Sequence, residues 1–366
     1  MVVGVIVKYL KLAFVLSIFS MNAWAVPLPT FPPGAVWYRD VSAPSLKHPY
    51  SDQMISWLQS RGGWGTGSTD FRIDFSMTVL HADASTPMAD IIGYPYDDYY
   101  VPDCDTPGTI PFPMPAGGSI EGSDDYSCDN EGEDCHLLVV QGNTLFESYH
   151  SNLVGDGLES QCAVKWDLTR VYPPEGRGEQ CGSADAAGYP ISALLFNADE
   201  IYTAIQSQGD LGHAIRFILP NNRMTAGEYV HPATHAGGPQ ATAEYSIPYG
   251  SQFRLKADFD VDGFTDNDAV KVILRTLKKY GMYLADGGNV PLTAEADTYT
   301  THKWDEAAIS MDSHSLSGIQ VTDFEVIAAD APIDLTYDCL RDPNGGDDDP
   351  PPPPPTDPLY ANGFER

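Results

Sequence analysis

The stretch FRIDFSMTVLHAD, residues 71–83, decides the fold class. Its apolar side chains occupy every second position, with polar ones between them: Phe71, Ile73, Phe75, Met77 and Val79. Because successive side chains of a β-strand point to opposite faces, this period of two predicts a half-buried strand. QFRLKADFD (252–260) repeats the alternation. CHLLVVQG (135–142), NTLFESYH (143–150) and CAVKWDLT (162–169) are typical of consecutive strands separated by Gly and Asn turns.

Three segments have helical rather than strand patterns: residues 51–63, 197–209 and 265–281. In the last of them Thr265 or Asp266 is the predicted N-cap, and Gly281 follows the last turn. Asn197 is the predicted cap of the second. The sequence therefore predicts a mainly β protein, with a β-sandwich or jelly-roll-like body and a few short α-helices.

Residues 1–25 have the features of a secretory signal peptide. Lys8 and Lys11 precede a short apolar run, which ends at the small-residue pattern AWA. No later run reaches the ~18 apolar residues that a spanning helix needs, so we expect no membrane span. We expect a secreted protein, periplasmic, on the cell surface or extracellular.

The rest of the chain divides at a proline-rich segment. We expect one β-rich secreted domain over residues 26–343, then an Asp/Pro-rich linker over 344–358 with six consecutive prolines. The tail LYANGFER (359–366) resembles short terminal tags of exported proteins from Gram-negative gammaproteobacteria. That resemblance implies attachment at the cell surface through the tail; the alternative is an unstructured end.

The net charge of −31 limits the partners. Nucleic acids and anionic lipid surfaces recruit basic patches, so neither is an expected partner. The six cysteines of this exported chain predict disulfides, for which 15 pairings exist. Close spacing favours Cys128–Cys135 and Cys162–Cys181, which leaves Cys104–Cys339. No CxxC motif in the sequence supports a cysteine metal site.

Three histidines fall within HAIRFILPNNRMTAGEYVHPATHAGG, residues 213–238. His231 and His235 are four residues apart, but Pro232 and the following glycines oppose a helix. On an extended chain the two would lie ~13 Å apart, so they do not form a zinc motif. His213 shares a face with apolar residues and is either a hydrogen-bonded core histidine or a catalytic group.

Arg216 lies inside the apolar strand HAIRFIL (213–219), which is predicted to be central because both of its faces are apolar. A buried guanidinium needs a carboxylate partner, and the candidates are Asp185, Glu147 and Asp167. Asp185 stands alone among small residues in CGSADAAGYP (181–190), where a ligand could approach closely. The pairing is either a structural ion pair or part of a substrate cleft.

The acidic run DFDVDGFTDND (258–268) resembles a calcium loop. Asp258, Asp260, Asp262 and Asp266 take the spacing of calcium ligands, but Ala269 stands where an EF-hand has a bidentate acid. The alternative is a polar strand end followed by a helix cap. We expect no required cofactor, and calcium is the one candidate. The sequence also lacks G-x-S-x-G, H-E-x-x-H, P-loop and Rossmann motifs.

Seven blocks in order resemble a widespread family of secreted bacterial proteins without an established activity: DCHLLVV, AVKWDL, SADAAGYPISALLFNADEI, GHAIRFILP, YVHPATHAGG, PYGSQFRLKADFD and VILRTLKKYGMYLADGG. The resemblance spans residues 37–325 and implies a single domain. The positions that match are His136, Asp167, Asp185, His213, Arg216, His235, Arg254, Lys256, Lys279, Tyr280 and Asp286. His231 and Asp262 depart from the family pattern.

Export, an acidic β-rich body and 20 tyrosines suited to sugar stacking favour a carbohydrate-active enzyme, with a glycoside hydrolase first. Hydrolysis needs two carboxyl groups, which we expect to be Asp185 with Glu147 or Asp167. The predicted supporting residues, which orient these carboxyls or bind a polysaccharide or oligosaccharide, are His213, His235, Arg216, Tyr229 and His136.

Two alternatives remain open at this point. In a polysaccharide lyase, Arg216 would neutralise a uronate while Tyr229 or His235 moves the proton. The other alternative is a non-catalytic carbohydrate-binding or cell-surface module.

Overall fold

The structure is a computed structural model that describes residues 27–65, 70–94, 103–105, 107–108, 110–128 and 133–341. The predicted signal peptide (1–25), linker (344–358) and tail tag (359–366) lie outside these residues.

The described chain forms mostly strands. In chain order they are β1 (Ile73–Met77), β2 (Val79–Ala82), β3 (Met88–Ile91), β4 (Pro111–Pro113), β5 (Leu137–Gln141), β6 (Thr144–Tyr149), β7 (Asn152–Val154), β8 (Gly157–Glu159), β9 (Cys162–Asp167), β10 (Ile215–Leu219), β11 (Met224–Tyr229), β12 (Ile247–Tyr249), β13 (Gln252–Leu255), β14 (Met282–Gly287), β15 (Leu292–Glu295), β16 (Phe324–Val326) and β17 (Ile333–Asp334). The α-helices are α1 (Ser51–Ser60), α2 (Ala198–Ser207), α3 (Val261–Phe264) and α4 (Asp268–Lys279). Short 3₁₀ turns occur at Val36–Tyr38, Pro44–Leu46, Ser192–Leu194, Asn221–Arg223 and Val321–Asp323.

The strands form four sheets. The largest has six strands in the order β1-β15-β10-β14-β13-β16, and β10 lies inside it as predicted. A four-stranded sheet has the order β2-β5-β6-β9, a second four-stranded sheet β4-β3-β8-β7, and a three-stranded sheet β12-β11-β17. Parallel neighbours such as β10 with β14 and β1 with β15 make these sheets mixed. The prediction of a mainly β fold with a few short helices is confirmed.

The stretch that predicted a strand forms two. β1 and β2 are consecutive, yet β1 belongs to the six-stranded sheet and β2 to a four-stranded one. The predicted alternation is lost at the corner, where Met77, Thr78, Val79 and Leu80 are all buried. Val79 packs in the main core and Leu80 in a second apolar cluster, so both faces of β2 are covered.

All three predicted helices are present, and their caps show why they begin where they do. Asn197 accepts a hydrogen bond from Glu200 N at 2.9 Å and caps α2 as predicted. For α4 the predicted cap was wrong. Asn267 takes that place, accepting from Ala269 N at 2.8 Å, because its side chain reaches the free amides of the first turn.

Aromatic side chains hold the core face of the six-stranded sheet. Trp64 contacts Phe71, Phe217, Phe253 and Phe324, with ring centroids 4.6–6.4 Å apart. These residues come from the loop after α1, the segment before β1, β10, β13 and β16. Arg216 comes one residue before Phe217 on β10 and therefore points to the opposite face of the sheet.

Three disulfides cross-link the domain, and only one has the predicted partner. Cys128–Cys135 is confirmed, whereas the other pairs are Cys104–Cys162 and Cys181–Cys339. The predicted Cys162–Cys181 and Cys104–Cys339 pairs were wrong, because the end of the domain, where β17 pairs with β11, lies beside residue 181. The disulfides fit an oxidising or extracellular environment. No helix within the described ranges has the length and apolarity needed to cross a membrane.

The predicted calcium loop contains the short helix α3 and ends at the start of α4. Asp260 caps α3 by accepting from Gly263 N at 3.0 Å, and Asp262 forms an exposed ion pair with Lys271 at 2.9 Å. Among the described residues, no group of three or more acidic, histidine or cysteine side chains is arranged to hold a metal ion. The structure does not gather Asp258, Asp260, Asp262 and Asp266 around one point.

Candidate functional site

Arg216 lies at the centre of the candidate site. It is on β10, with its side chain on the face of the six-stranded sheet opposite the aromatic core. Its Nη1 donates to Thr293 Oγ1 of β15 at 3.4 Å, and Thr293 is paired in turn with Asp74 of β1. The guanidinium is buried, with 3% of the side chain exposed. The prediction that carboxylates must converge on it is confirmed.

Asp185 is the buried partner of Arg216. Its Oδ1 lies 2.6 Å from Arg216 Nη2, and its other oxygen accepts from Ala187 N at 3.2 Å. The loop that carries Asp185 lies close to Arg216, because its residues Ala184, Ala187 and Gly188 are small. Complete burial raises the pKa of Asp185 to about 7, although Arg216 pulls it downward. This carboxyl therefore takes up a proton close to neutral pH.

Asp286, at the end of β14, is the second carboxylate on the same guanidinium. Its Oδ2 lies 3.6 Å from Arg216 Nη2, and 26% of its side chain is exposed. Burial of the carboxyl group raises its pKa, while the positive charge of Arg216 opposes the rise. Asp185 and Asp286 thus share one nitrogen, but only Asp286 reaches solvent.

Glu121 and His136 form an ion pair beside Asp286. His136 Nδ1 lies 2.6 Å from Glu121 Oε2. Burial works to raise the pKa of Glu121, but the charge and hydrogen bond of His136 outweigh it and lower the pKa to about 2. Burial would lower the pKa of His136, yet Glu121 raises it to about 9. At neutral pH the pair is a carboxylate and an imidazolium.

Hydrogen bonds across the sheets hold this ion pair against the Arg216 group. Ser76 Oγ of β1 donates to Glu121 Oε1 at 2.8 Å, and His136 Nε2 lies 3.1 Å from the carbonyl of Ala184. Asp74, partly buried, faces the same group, and burial raises its pKa. The acidic centre, defined here as Asp74, Glu121, Asp185, Asp286, Arg216 and His136, is therefore built from three strands of the six-stranded sheet, the segment before β5 and the loop that carries Asp185.

Two predicted carboxyls lie outside the acidic centre. Within the described residues, Arg216 pairs with neither Glu147 nor Asp167. Glu147 is fully buried and accepts from Trp166 Nε1 at 3.1 Å, Ile191 N at 3.0 Å and Ser192 N at 2.8 Å. It anchors the segment that leads to α2. Asp167 accepts from Thr169 N at 2.8 Å and ends a strand. The predicted carboxyl pair is not formed by these residues.

The predicted histidines are separated. His213 is buried, with Nδ1 2.8 Å from the carbonyl of Ala214 and Nε2 3.8 Å from Glu200. His235 lies against the Asp185 loop, with Nδ1 3.0 Å from the carbonyl of Ala186. His136, which was predicted as a substrate-binding residue, is the histidine that the structure places within the acidic centre.

Tyr229 belongs to another group. Its hydroxyl donates to Glu179, whose other oxygen lies 2.9 Å from His231 Nε2. The pKa of Tyr229 is raised by burial and by Glu179. The group is next to the Cys181–Cys339 disulfide, and it explains His231 as a partner of Glu179 rather than a metal ligand.

Sequence reasoning did not select Glu121, Asp286 or Asp74 as site residues. Asp286 is among the positions that match the family blocks, and it ends an apolar run and is followed by two glycines in LADGG. An acid at a strand end beside glycines is a place where a ligand can approach the backbone. Glu121 lies in a loop whose sequence, SIEGS, gives no such signal.

Glu295, a buried acid outside the acidic centre, allows a prediction about stability. Glu295 of β15 accepts from Asn197 Nδ2 at 2.8 Å, and burial raises its pKa to about 8 from 4.5. Between these pH values the native state holds a proton that the unfolded state has lost, so the free energy of unfolding falls as pH rises.

We expect Glu295→Gln, which keeps the acceptor for Asn197, to flatten this fall. At pH 8 it should be more stable than the wild type by on the order of a few kcal/mol, with little difference near pH 4.5. Denaturant titrations across pH 4.5–8.5 measure it, with the exposed Glu244→Gln as control. If the free energy of unfolding of Glu295→Gln changed with pH in the same way as that of the wild type, the raised pKa of Glu295 would be contradicted.

Comparison of the chain with protein-family models, with curated proteins and with solved structures finds no match in any of the three.

Proposed function

We propose that the protein is a secreted carbohydrate-active enzyme, a glycoside hydrolase, whose reaction takes place at the acidic centre. The observation that supports this most is the opposite perturbation of two neighbouring carboxyl groups. Asp286 has a raised pKa and Glu121 a pKa lowered to about 2. Glycoside hydrolysis requires one carboxyl that gives a proton and one that stays ionised.

Asp286 is the proposed general acid. Its raised pKa favours the protonated form that donates to the leaving oxygen, and its partial exposure lets it reach a bound sugar. Glu121 is the proposed second carboxylate, as base or nucleophile, because His136 keeps it ionised. Its side chain is 15% exposed.

Asp185 is a positioning residue in this proposal. It is completely buried, so it does not touch substrate. It holds Arg216 in place, and Arg216 in turn pairs with Asp286. The charge of Asp286 also contributes to the raised pKa of Asp185. Two carboxyls on one guanidinium resist simultaneous ionisation, which keeps a proton available in the pair near neutral pH.

A polysaccharide lyase is less well supported. Its chemistry would require Arg216 to neutralise a uronate, but Arg216 is buried and already pairs with two carboxylates. Tyr229, the proposed proton carrier, is fully buried and donates to Glu179. The negative charge around the centre also repels an anionic substrate.

Product analysis tests the proposal directly. The mature protein is incubated with a panel of neutral and acidic polysaccharides in water enriched in ¹⁸O, and the products are examined by mass spectrometry. Hydrolysis adds one water and places ¹⁸O at the new reducing end. Unsaturated products would establish a lyase instead, and folded protein that binds glycans without turnover would establish a binding module.

We expect Asp286→Asn to lower kcat at least 100-fold, because general acid catalysis contributes about 10²–10⁴. The amide cannot donate the proton that the leaving group needs, and the residual rate should lose the decline that the wild type shows as pH rises above the pKa of the acid. Asp156→Asn, in the exposed turn between β7 and β8, is the control and should retain full activity. Full activity of a folded Asp286→Asn protein would remove Asp286 from the mechanism.

A further inference from the structure

A polar groove begins at the residue that follows Asp286. It has a volume of about 330 Å³ and is lined by Asn221, Asn222, Gln240, Gly287, Gly288 and Asn289, together with a proline. Its size lies at the lower end of the range for small-ligand sites, about 300–1,000 Å³. It does not overlap the buried part of the acidic centre, but Gly287 N donates to Asp286 Oδ1 at 2.6 Å and joins the two.

The side chains of the groove are unusual in being almost entirely carboxamides. Within the described part of the chain, no hydrogen bond joins the side-chain carboxamide of Asn221, Asn222, Gln240 or Asn289 to another residue. Each carboxamide offers two N–H donors and one oxygen acceptor. The groove therefore presents a set of unused neutral donors and acceptors beside a candidate catalytic acid.

Two glycines let the chain pass close to its neighbours at this groove. A Cβ at Gly287 would lie 2.4 Å from Asn221 Oδ1, and one at Gly288 would lie 2.5 Å from a methyl carbon of Ile218. A side chain at Gly287 would force Asn221, which lines the groove, to move. Small residues at such points let a ligand approach the backbone.

We propose that the groove is a binding subsite for an uncharged glycan whose scissile bond lies over Asp286. The inference rests on the proposed function and adds the substrate class. Sugar hydroxyls are both donors and acceptors, so carboxamides match them, whereas a uronate or sulfate would need a cation. Within the described chain no Lys or Arg lines the groove, and Gly287, which lines it, directly follows Asp286.

Direct binding to an inactive protein tests the subsite. Asp286→Asn serves as the background, so that the probe is not consumed, and calorimetry measures its affinity for defined tetrasaccharides. The neutral probes are tetramers of β-1,4-glucose, β-1,4-xylose, α-1,4-glucose and β-1,4-N-acetylglucosamine. The anionic probe is α-1,4-tetragalacturonate.

We expect at least one neutral tetramer to bind and the galacturonate to bind at least tenfold more weakly. Adding Asn222→Ala and Asn289→Ala should weaken the neutral binding at least tenfold, because hydrogen bonds to the glycan are lost. Asn143→Ala, an exposed asparagine in the β5–β6 turn, is the matched control and should leave the affinity unchanged. Galacturonate binding as tight as the neutral tetramers, or no neutral binding at all, overturns the proposal.

The same variants in the active protein separate this inference from the proposed function. Loss of groove contacts that act equally on substrate and transition state raises KM and leaves kcat within about twofold. If the wild type hydrolyses the glycan and Asn222→Ala/Asn289→Ala does so with an unchanged KM, the binding subsite is refuted and the glycoside hydrolase proposal stands. Groove-dependent neutral binding without hydrolysis by the wild type would refute the hydrolase and keep the groove.

Discussion

Replacing Arg216 with methionine should lower the free energy of unfolding by about 3–5 kcal/mol at pH 8, which is the range for breaking a buried ion pair by removing one partner. Methionine fills a similar volume but leaves Asp185, which is 0% exposed, without its cation. Asp286 loses the same partner. The cost therefore comes from uncompensated buried charge rather than from a cavity.

The loss should depend on pH, and its direction follows from the pKa of Asp185. In the wild type this pKa is raised to about 7 even with Arg216 opposing the rise. Without Arg216 it rises further, so the native state of the variant holds its proton to higher pH than the unfolded state does. The free energy lost is thus larger at pH 8 than at pH 5.

Chemical denaturation at both pH values measures the effect, with two further variants for comparison. Arg216→Met/Asp185→Asn should recover part of the stability, since the buried acid is then neutral. Lys47→Met removes an exposed ion pair with Asp52 and should cost less than about 1 kcal/mol. If Arg216→Met lost as little stability as Lys47→Met, the guanidinium would not be what stabilises the buried carboxylates.

Removing the Cys181–Cys339 disulfide should cost far more than removing Cys128–Cys135. The first closes a loop with a sequence separation of 158, the second one of only 7. A cross-link restricts the unfolded chain more when its loop is longer, and the chain-entropy relation gives about 5 kcal/mol for the first and about 2 kcal/mol for the second. The two loops do not overlap, so each can be measured separately.

The comparison uses Cys181→Ala/Cys339→Ala and Cys128→Ala/Cys135→Ala, unfolded by denaturant under identical conditions. The first pair also joins the end of the domain to the Asp185 loop, which adds native contacts such as the 3.1 Å hydrogen bond from Gln180 Nε2 to Asp334 O. Equal losses for the two variants would mean that the chain beyond residue 333 is held by its other contacts.

Much of the fold could be predicted because it depends on local periodicity. The alternation in residues 71–83 and the caps and stripes of α1, α2 and α4 are properties of short segments. The sheet order could not be read in this way. The corner between β1 and β2 places consecutive residues in different sheets, and the pairing of β11 with β17 joins positions about 100 residues apart.

The candidate site was partly predictable for the same reason. Arg216 stood out because a charged side chain within an apolar strand must be paired, and Asp185 was among its three candidate partners. Glu121 was not predictable, since its role depends on His136 and Ser76, which reach it from other parts of the chain. Glu147 resembled a catalytic acid in sequence, but its four hydrogen bonds occupy both oxygens.

The assembly of the acidic centre from separate parts of the chain has a consequence for refolding. Glu121 and His136 lie in the segment that leads into β5, whereas Asp286 and Arg216 lie on strands of the six-stranded sheet. Neither sheet alone contains both carboxyls with opposite proton affinities. Recovery of catalysis after dilution from denaturant should therefore coincide with the docking of the sheets and lag behind the return of secondary structure. A fragment limited to one sheet should be inert whatever its own stability.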